Sequence, residues 1–348
     1  MSLKRGNIIA LNLMGKPKKR KEENMYKKVF SILVVILVYS LITVSVIAQE
    51  KYPEKPIQAI VGFAPGSFTD ANARVLAEFL KKYLGQPIVV INKPGGAGAI
   101  AGNELFKSKH DGYTIGMFHD GMATPEYALD PERYIYKMKD IQPVARWVTV
   151  VPTIFARYDA PWKSLAEFID YSKKNPNKLR WGHPGRGNMM WIIGTLVIQK
   201  AAIKLLEVPF EGDAQMMAAL LGNHIDIYVN PLAPTNIAQI EAYKAKALAF
   251  CTQKRVDRWP DVPTVEETGY PIEIPVPYLG IFVPKGTPKE MIAKLSSAIK
   301  KATEDPEYME KAKKAGVVPS YMDPMDFEEY AAKFGKAKWD IFKKLGLL

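Results

Sequence analysis

IQAIVGFAPGSFTDANARVLAEFLKKYLG, residues 57–85, is an unbroken apolar run, a loop of small residues and a helical pattern in succession. The run IQAIVGFA (57–64) reads as a strand. From Asp70 to Gly85 the residues Ala73, Leu76, Phe79, Leu80 and Tyr83 share one helical face, and Gly85 is the stop. Between them Gly66 permits a tight turn, while Ser67 and Thr69 offer hydroxyls where a helix start leaves N–H groups without intrahelical partners. Such a start attracts a carboxylate or phosphate without a formal positive charge.

The same device returns downstream. WGHPGRGNMMWIIG (181–194) places Gly185, Gly187 and Asn188 between the strand-like LRWGH and an apolar helix, with Arg186 available for a charge-assisted contact. Either loop alone is an ordinary helix cap; two facing each other across a cleft would be jaws. The rest of the chain alternates in the same way. PIVVIN, AGAIAGNELFKS and YTIGMF follow the first helix, and the apolar segment WVTVVPTIFA (147–156) leads to a second group. That group opens with SLAEFIDYSKKNP, where Ser164 and Glu167 make a capping box. It continues through LLEVPF, DAQMMAALLG, IDIYVN, TNIAQIEAYKA and ALAFC. A proline-rich stretch, PDVPTVEETGYPIEIPVPYLGIFVP (260–284), then gives way to two helical segments, KEMIAKLSSAIKKATED and MDFEEYAAKFGKAKWDIFKKLG.

This alternation predicts an α/β fold with mixed, mostly parallel sheets and helices on both faces. Chain crossings near 150–156 and 275–284 divide it into two lobes, residues 49–152 plus 275–348 and residues 153–274. The final helices have no strands of their own and are expected to return to the first lobe. Clefts between such lobes are preferred ligand sites.

The N-terminus reads as a leader. Residues 25–48, MYKKVFSILVVILVYSLITVSVIA, carry Lys27 and Lys28 ahead of an uncharged run ending in small residues, the pattern of an export signal cleaved after Ala48. An uncleaved anchor is the alternative, since about twenty apolar residues span a bilayer. Residues 1–48 hold nine of the Lys and Arg and two acids, so most of the formal +12 belongs to them and residues 49–348 carry +5. Such a mild balance, with no clustered basic face, argues against nucleic-acid binding. Cys251 is the single cysteine, so no intramolecular disulfide forms, and His110, His119, His183 and His224 lack metal-site spacing.

Two enzyme readings compete. KPGGAGAIAG (93–102) contains a G-x-G-x-x-A pattern after a strand, and Asp120 follows about twenty residues on, as a dinucleotide site would require. A triad from Ser67, His119 and Asp70 can be drawn, but no G-x-S-x-G elbow supports it.

The order of several segments carries a resemblance. YPEKPIQAIVGFAPGSFTD, GQPIVVINKPGGAGAIAG, DGYTIG (111–116), VPFEGDAQMMAALLGNHIDI (208–227), PDVPTVEETGY (260–270) and YLGIFVPKGTP (278–288) together resemble the extracytoplasmic solute receptors of tripartite tricarboxylate transporters, the Bug family. The resemblance spans residues 52 to about 345. It implies a monomeric, periplasmic, two-lobed binding protein without cofactor or catalysis, closing on a small organic carboxylate and delivering it to membrane permease subunits. It implies a grip from Ser67, Phe68, Thr69 and Asp70 in the first lobe and His183, Gly185, Arg186, Gly187, Asn188 and Met189 in the second. Phe210, Asp213, Asn230 and Tyr278 are implied to line the rest of the pocket. Relatives usually carry serines at the positions of His183 and Asn188, lysine at Glu211, and glycine at Ser67; those departures put citrate-like ligands in doubt. Bulky substitutions at Asp70 or Asn188 are expected to weaken binding and leave folding intact.

Overall fold

The computed structural model describes residues 25–33, 52–123, 132 and 134–348. Residues 25–33 form a first helix, α1, and the cleavage position after Ala48 lies outside the described residues. Among the described residues no helix is long and apolar enough to cross a membrane.

Residues from Pro53 onward build two sheets. β1 (Ile57–Val61), β2 (Ile88–Asn92), β3 (Thr114–His119), β4 (Ile141–Thr149), β10 (Tyr278–Pro284) and β11 (Val318–Met322) make the first, in the order β11-β4-β10-β3-β1-β2. β5 (Pro152–Arg157), β6 (Arg180–His183), β7 (Leu206–Pro209), β8 (Ile227–Pro231) and β9 (Ala245–Phe250) make the second, in the order β7-β6-β8-β5-β9. All strands of the second sheet therefore lie in sequence between β4 and β10, which pair antiparallel across Thr149 and Tyr278.

Parallel pairing is less general than the alternation predicts. β1 pairs parallel with β2 and β3, and β6 with β7 and β8, because a helix crosses back between them. The other five pairings are antiparallel: β10 with β3 and β4, β11 with β4, and β5 with β8 and β9. The cause lies in WVTVVPTIFA, which is not one strand. Val150 and Val151 interrupt it, so that its first part closes β4 in one sheet and its second opens β5 in the other. The interruption is held on both sides: the Val150 N–H donates to the Pro277 carbonyl at 2.8 Å, and the Cys251 N–H donates to the Pro152 carbonyl at 2.8 Å.

Helices cover the sheets as their apolar faces dictate. α2 (Phe68–Leu84) begins two residues before the expected Asp70, since Ser67 is its N-cap, and it ends at Gly85 in the left-handed conformation. Leu76, Phe79 and Leu80 are buried on it. α3 (Ala99–Lys107) follows β2, and α4 (Leu165–Lys174) starts from the expected cap, Ser164 Oγ accepting the Glu167 N–H at 3.2 Å, but the Glu167 carboxylate accepts the Lys163 N–H at 2.7 Å instead of the Ser164 N–H that a capping box requires. α5 (Met189–Lys200), α6 (Asp213–Leu221) and α7 (Pro234–Glu241) serve the second sheet. α8 (Lys289–Thr303), α9 (Pro306–Lys314) and α10 (Pro324–Lys344) close the chain.

These last helices are not without a strand. β11 lies between α9 and α10 and pairs with β4, although its half-exposed residues gave no apolar run to read. The return to the first sheet is pinned at Asp305, whose carboxylate accepts from Lys82 Nζ and the Tyr83 hydroxyl, each at 2.8 Å.

Candidate functional site

The two loops singled out in the sequence leave the carboxyl ends of β1 and β6, where open α/β sheets hold their ligands. In the first, Gly66 takes φ +81° with nothing within 4 Å of where a Cβ would stand, so the glycine answers to the turn rather than to packing. Ser67 Oγ accepts the Asp70 N–H at 3.3 Å and caps α2. In the second, Gly185 and Gly187 have φ +107° and +83°, and Asn188 Oδ1 accepts the Met190 N–H at 2.9 Å to cap α5.

The loops meet at one cavity of about 50 Å³. A cavity holds a water from roughly 10–15 Å³ upward, so this one has room for a few waters or a small organic molecule. From the first sheet's side Phe63, Ser67, Phe68, Thr69, His119 and Asp120 line it. Pro184, Asn188, Met189, Met190, Gly212, Asp213, Asn230 and Pro231 line it from the other, and Val150 and Leu279 stand where the chain crosses. Apolar side chains dominate this lining, and among the described residues it contains two aspartates and no lysine or arginine.

Asp213 bridges the two sides. Its Oδ2 accepts the Phe68 N–H at the start of α2, 3.0 Å away, and its Oδ1 accepts from Asn230 Nδ2 at 2.6 Å. Burial pushes its pKa above the ordinary carboxylate range, against the lowering effect of those two bonds. Asp120 lies opposite, with the fully buried Lys338 of α10 at 3.7 Å from its Oδ2.

Of the fourteen residues predicted from the sequence, seven meet at the cavity: Ser67, Phe68, Thr69, Asn188, Met189, Asp213 and Asn230. The others stand behind it. The Asp70 carboxylate turns back into its own loop, accepting from the Gly66 N–H at 2.8 Å, Asn92 Nδ2 at 2.8 Å and Arg74 Nε at 3.0 Å. Burial raises its pKa, but the bonds from Arg74, Gly66 and Asn92 outweigh that and leave it below the usual value. Arg186 is exposed and pairs with Glu207 at 3.2 Å. Phe210 packs on the core of the second sheet with its N–H on the His183 carbonyl. Tyr278 is fully buried among Phe327, Tyr330 and Phe334, because alternation along β10 turns Leu279 to the cavity and Tyr278 to the opposite face. Gly185 and Gly187 shape the second loop rather than line the cavity.

His183 is part of that support. Its Nδ1 accepts the Gly185 N–H at 3.1 Å, and its ring lies 4.8 Å from Trp181. Glu207, 3.5 Å from Nε2, also accepts from Arg186 and from Trp191 Nε1, so one carboxylate holds the back of the loop. Burial pushes the imidazole down to about 4 from an ordinary 6.5. The folded state therefore stays neutral where the unfolded chain takes up a proton. Stability is fully present above about pH 6.5 and falls as pH drops toward 4, by up to about 3 kcal/mol from this group. Urea unfolding across that window should give a slope that His183→Asn flattens; an unchanged slope would show that His183 is not buried neutral.

Neither enzyme reading assembles. The Asp70 carboxylate bonds Gly66, Arg74 and Asn92, and His119 Nδ1 accepts the Gly121 N–H, so the triad from Ser67, His119 and Asp70 has no relay. Gly95–Gly98 do not line the cavity; a Cβ on Gly98 would meet Met122 Sδ at 2.7 Å, so this glycine serves close packing.

Phe63, His119, Asp120, Val150, Pro184, Met190, Gly212, Pro231 and Leu279 were not singled out as lining residues from the sequence. Two signals were available: the position of His119 and Asp120 at the end of the strand YTIGMFHD, and the bulky Met190 at the start of the helix that follows the second loop. Residues 72–347 match the family described as tripartite tricarboxylate transporter family receptor. The chain is 33% identical over 300 residues to the UPF0065 protein in the gbd 5′ region of Cupriavidus necator, covering 86% of this chain and 90% of that one. The solved structure of the periplasmic binding protein BugD superposes with a TM-score of 0.77 at 32% identity, over 85% of this chain and 99% of its own. MatC from Rhodopseudomonas palustris, solved with bound malate, gives 0.74 at 26% identity over 83% of this chain and 99% of its own.

Proposed function

The chain belongs to the tripartite tricarboxylate transporter receptor family, and on that premise we propose that it captures a small organic carboxylate in the cavity between its sheets and hands it to the permease subunits of its transporter. The observation that carries this reading is the convergence of two capped helix starts, α2 at Ser67 and α5 at Asn188, on one cavity. Helix starts supply amide donors and a favourable dipole to an anion. Asn188 and Met189 are the proposed carboxylate contacts, and Ser67, Phe68, Thr69, Asp213 and Asn230 the proposed wall. Asp70, His183, Gly185, Arg186, Gly187, Phe210 and Tyr278 act as its supports.

The lobes of the proposed receptor are residues 49–152 plus 275–348 and residues 153–274, and the mature protein works as an extracytoplasmic monomer, without cofactor or catalysis, after loss of residues 1–48. A ligand touching both sides only when they approach shifts the open-to-closed equilibrium toward closure. Micromolar affinity, about −8 kcal/mol, suffices for a scavenging receptor.

Thermal-shift screening of small carboxylates tests the reading. A true ligand at a hundred times its Kd stabilises the fold by about 2.7 kcal/mol, and small-angle scattering should record compaction. A panel of mono-, di-, tri- and amino-carboxylates that leaves both measurements unmoved overturns it.

A further inference from the structure

The charge inside the cavity points to more than a carboxylate. Asp120 has a buried ammonium, that of Lys338, at 3.7 Å. Asp213 has none among the described residues: its two bonds come from the neutral Asn230 amide and the Phe68 N–H. An ionised carboxylate accepts about four hydrogen bonds, so this one retains acceptor capacity at the cavity wall. The arginines of the two loops do not balance it, since Arg74 pairs with Asp70 and the exposed Arg186 with Glu207.

Asp213 also occupies an anion seat. The start of α2 is where a ligand carboxylate would be drawn, and the Phe68 N–H there is already taken by a carboxylate of the protein itself. The start of α5, beside Asn188 and Met189, remains as the second seat. A ligand that satisfies both walls carries one anion for the α5 start and one cation for Asp213. A ligand with two carboxylates would bring a second negative charge to a wall that Asp213 already occupies.

We propose that Asp213 is the seat of a protonated amine and that the receptor's ligand is a small amino-carboxylate, its ammonium on Asp213 and its carboxylate at the start of α5. The inference rests on the receptor reading and narrows it. The apolar wall of Phe63, Val150, Met189, Met190 and Leu279 selects an aliphatic or aromatic body between the two charges.

Isothermal titration of the mature chain with matched pairs tests it: L-alanine against propanoate, L-valine against 3-methylbutanoate, 4-aminobutanoate against butanoate, L-aspartate against succinate. The amino member of at least one pair should bind about 100-fold tighter than its partner, the worth of a close charge pair in a partly desolvated site. In Asp213→Asn, whose amide oxygen still accepts from Phe68, that ratio should fall below about 10-fold. Should Asp213→Asn unfold, the wild-type ratios decide alone. Deaminated acids or malate binding as tightly as every amino acid overturns the amine seat and leaves the receptor reading standing. If no carboxylate of either kind binds, the receptor reading falls and this inference with it.

Discussion

Lys338→Ala lowers the unfolding free energy by about 3–5 kcal/mol, the usual consequence of removing one partner from a buried ion pair. Lys338 is fully buried on α10, its ammonium 3.7 Å from Asp120 Oδ2 and 5.7 Å from the Phe342 ring. Without it the Asp120 carboxylate keeps its desolvation cost and loses the nearby cation, while truncation of a long side chain leaves a void under α10. A double variant, Lys338→Met with Asp120→Asn, should recover most of the loss, because a neutral pair of similar volume has no charge to desolvate. Urea unfolding monitored by tryptophan fluorescence measures both. A loss below about 1 kcal/mol in the single variant would mean that the pair is open to water.

Asp70→Ala combines a moderate loss of stability with a large loss of ligand binding. The carboxylate gathers three elements: the Gly66 N–H of the loop, the Asn92 amide at the end of β2, and Arg74 one turn along α2. Charge-assisted bonds of this kind contribute about 1.5–3 kcal/mol each, but Gly66 and Arg74 are exposed and recover water, so the net cost is about 2–3 kcal/mol. The loop from Gly66 to Thr69 then loses the contact that fixes its turn, and binding should weaken about 10- to 100-fold although Asp70 does not line the cavity. The sequence-level expectation that such a change leaves folding intact is revised by this network. Asp70→Asn, which keeps one acceptor oxygen, should retain more of both properties. Calorimetric affinity that survives Asp70→Ala would separate the loop from the site.

The reading of residues 57–85 held because its signals are local. A strand, a glycine turn, a capping serine and a helical face with a glycine stop need no knowledge of what they pack against. The positions of Ser67, Thr69 and Asn188 at the cavity followed from the same logic. What the sequence withheld depends on distance along the chain. The role of Asp70 is set by Asn92, and that of His183 by Glu207. Tyr278 and Leu279 are neighbours on β10, and only the packing of α10 decides which faces the cavity. β11 escaped notice because a half-exposed edge strand lacks an apolar run. The segment WVTVVPTIFA carried the expected crossing near 150–156, but its even hydrophobicity did not mark Val150 and Val151 as the two residues between β4 and β5.

The placement of the whole second sheet between β4 and β10 governs the order in which the molecule can form. β4 finds β10 only after residues 150–277 have been synthesised, and Thr149 then pairs with Tyr278. The second sheet is built from strands nearer one another in sequence and has its own core around Phe155, Tyr228 and Leu220. Its closure carries the smaller entropic cost. Refolding is therefore expected to complete the inserted sheet before β4 meets β10, and pulsed hydrogen exchange that protects β10 ahead of β5 would show the reverse order.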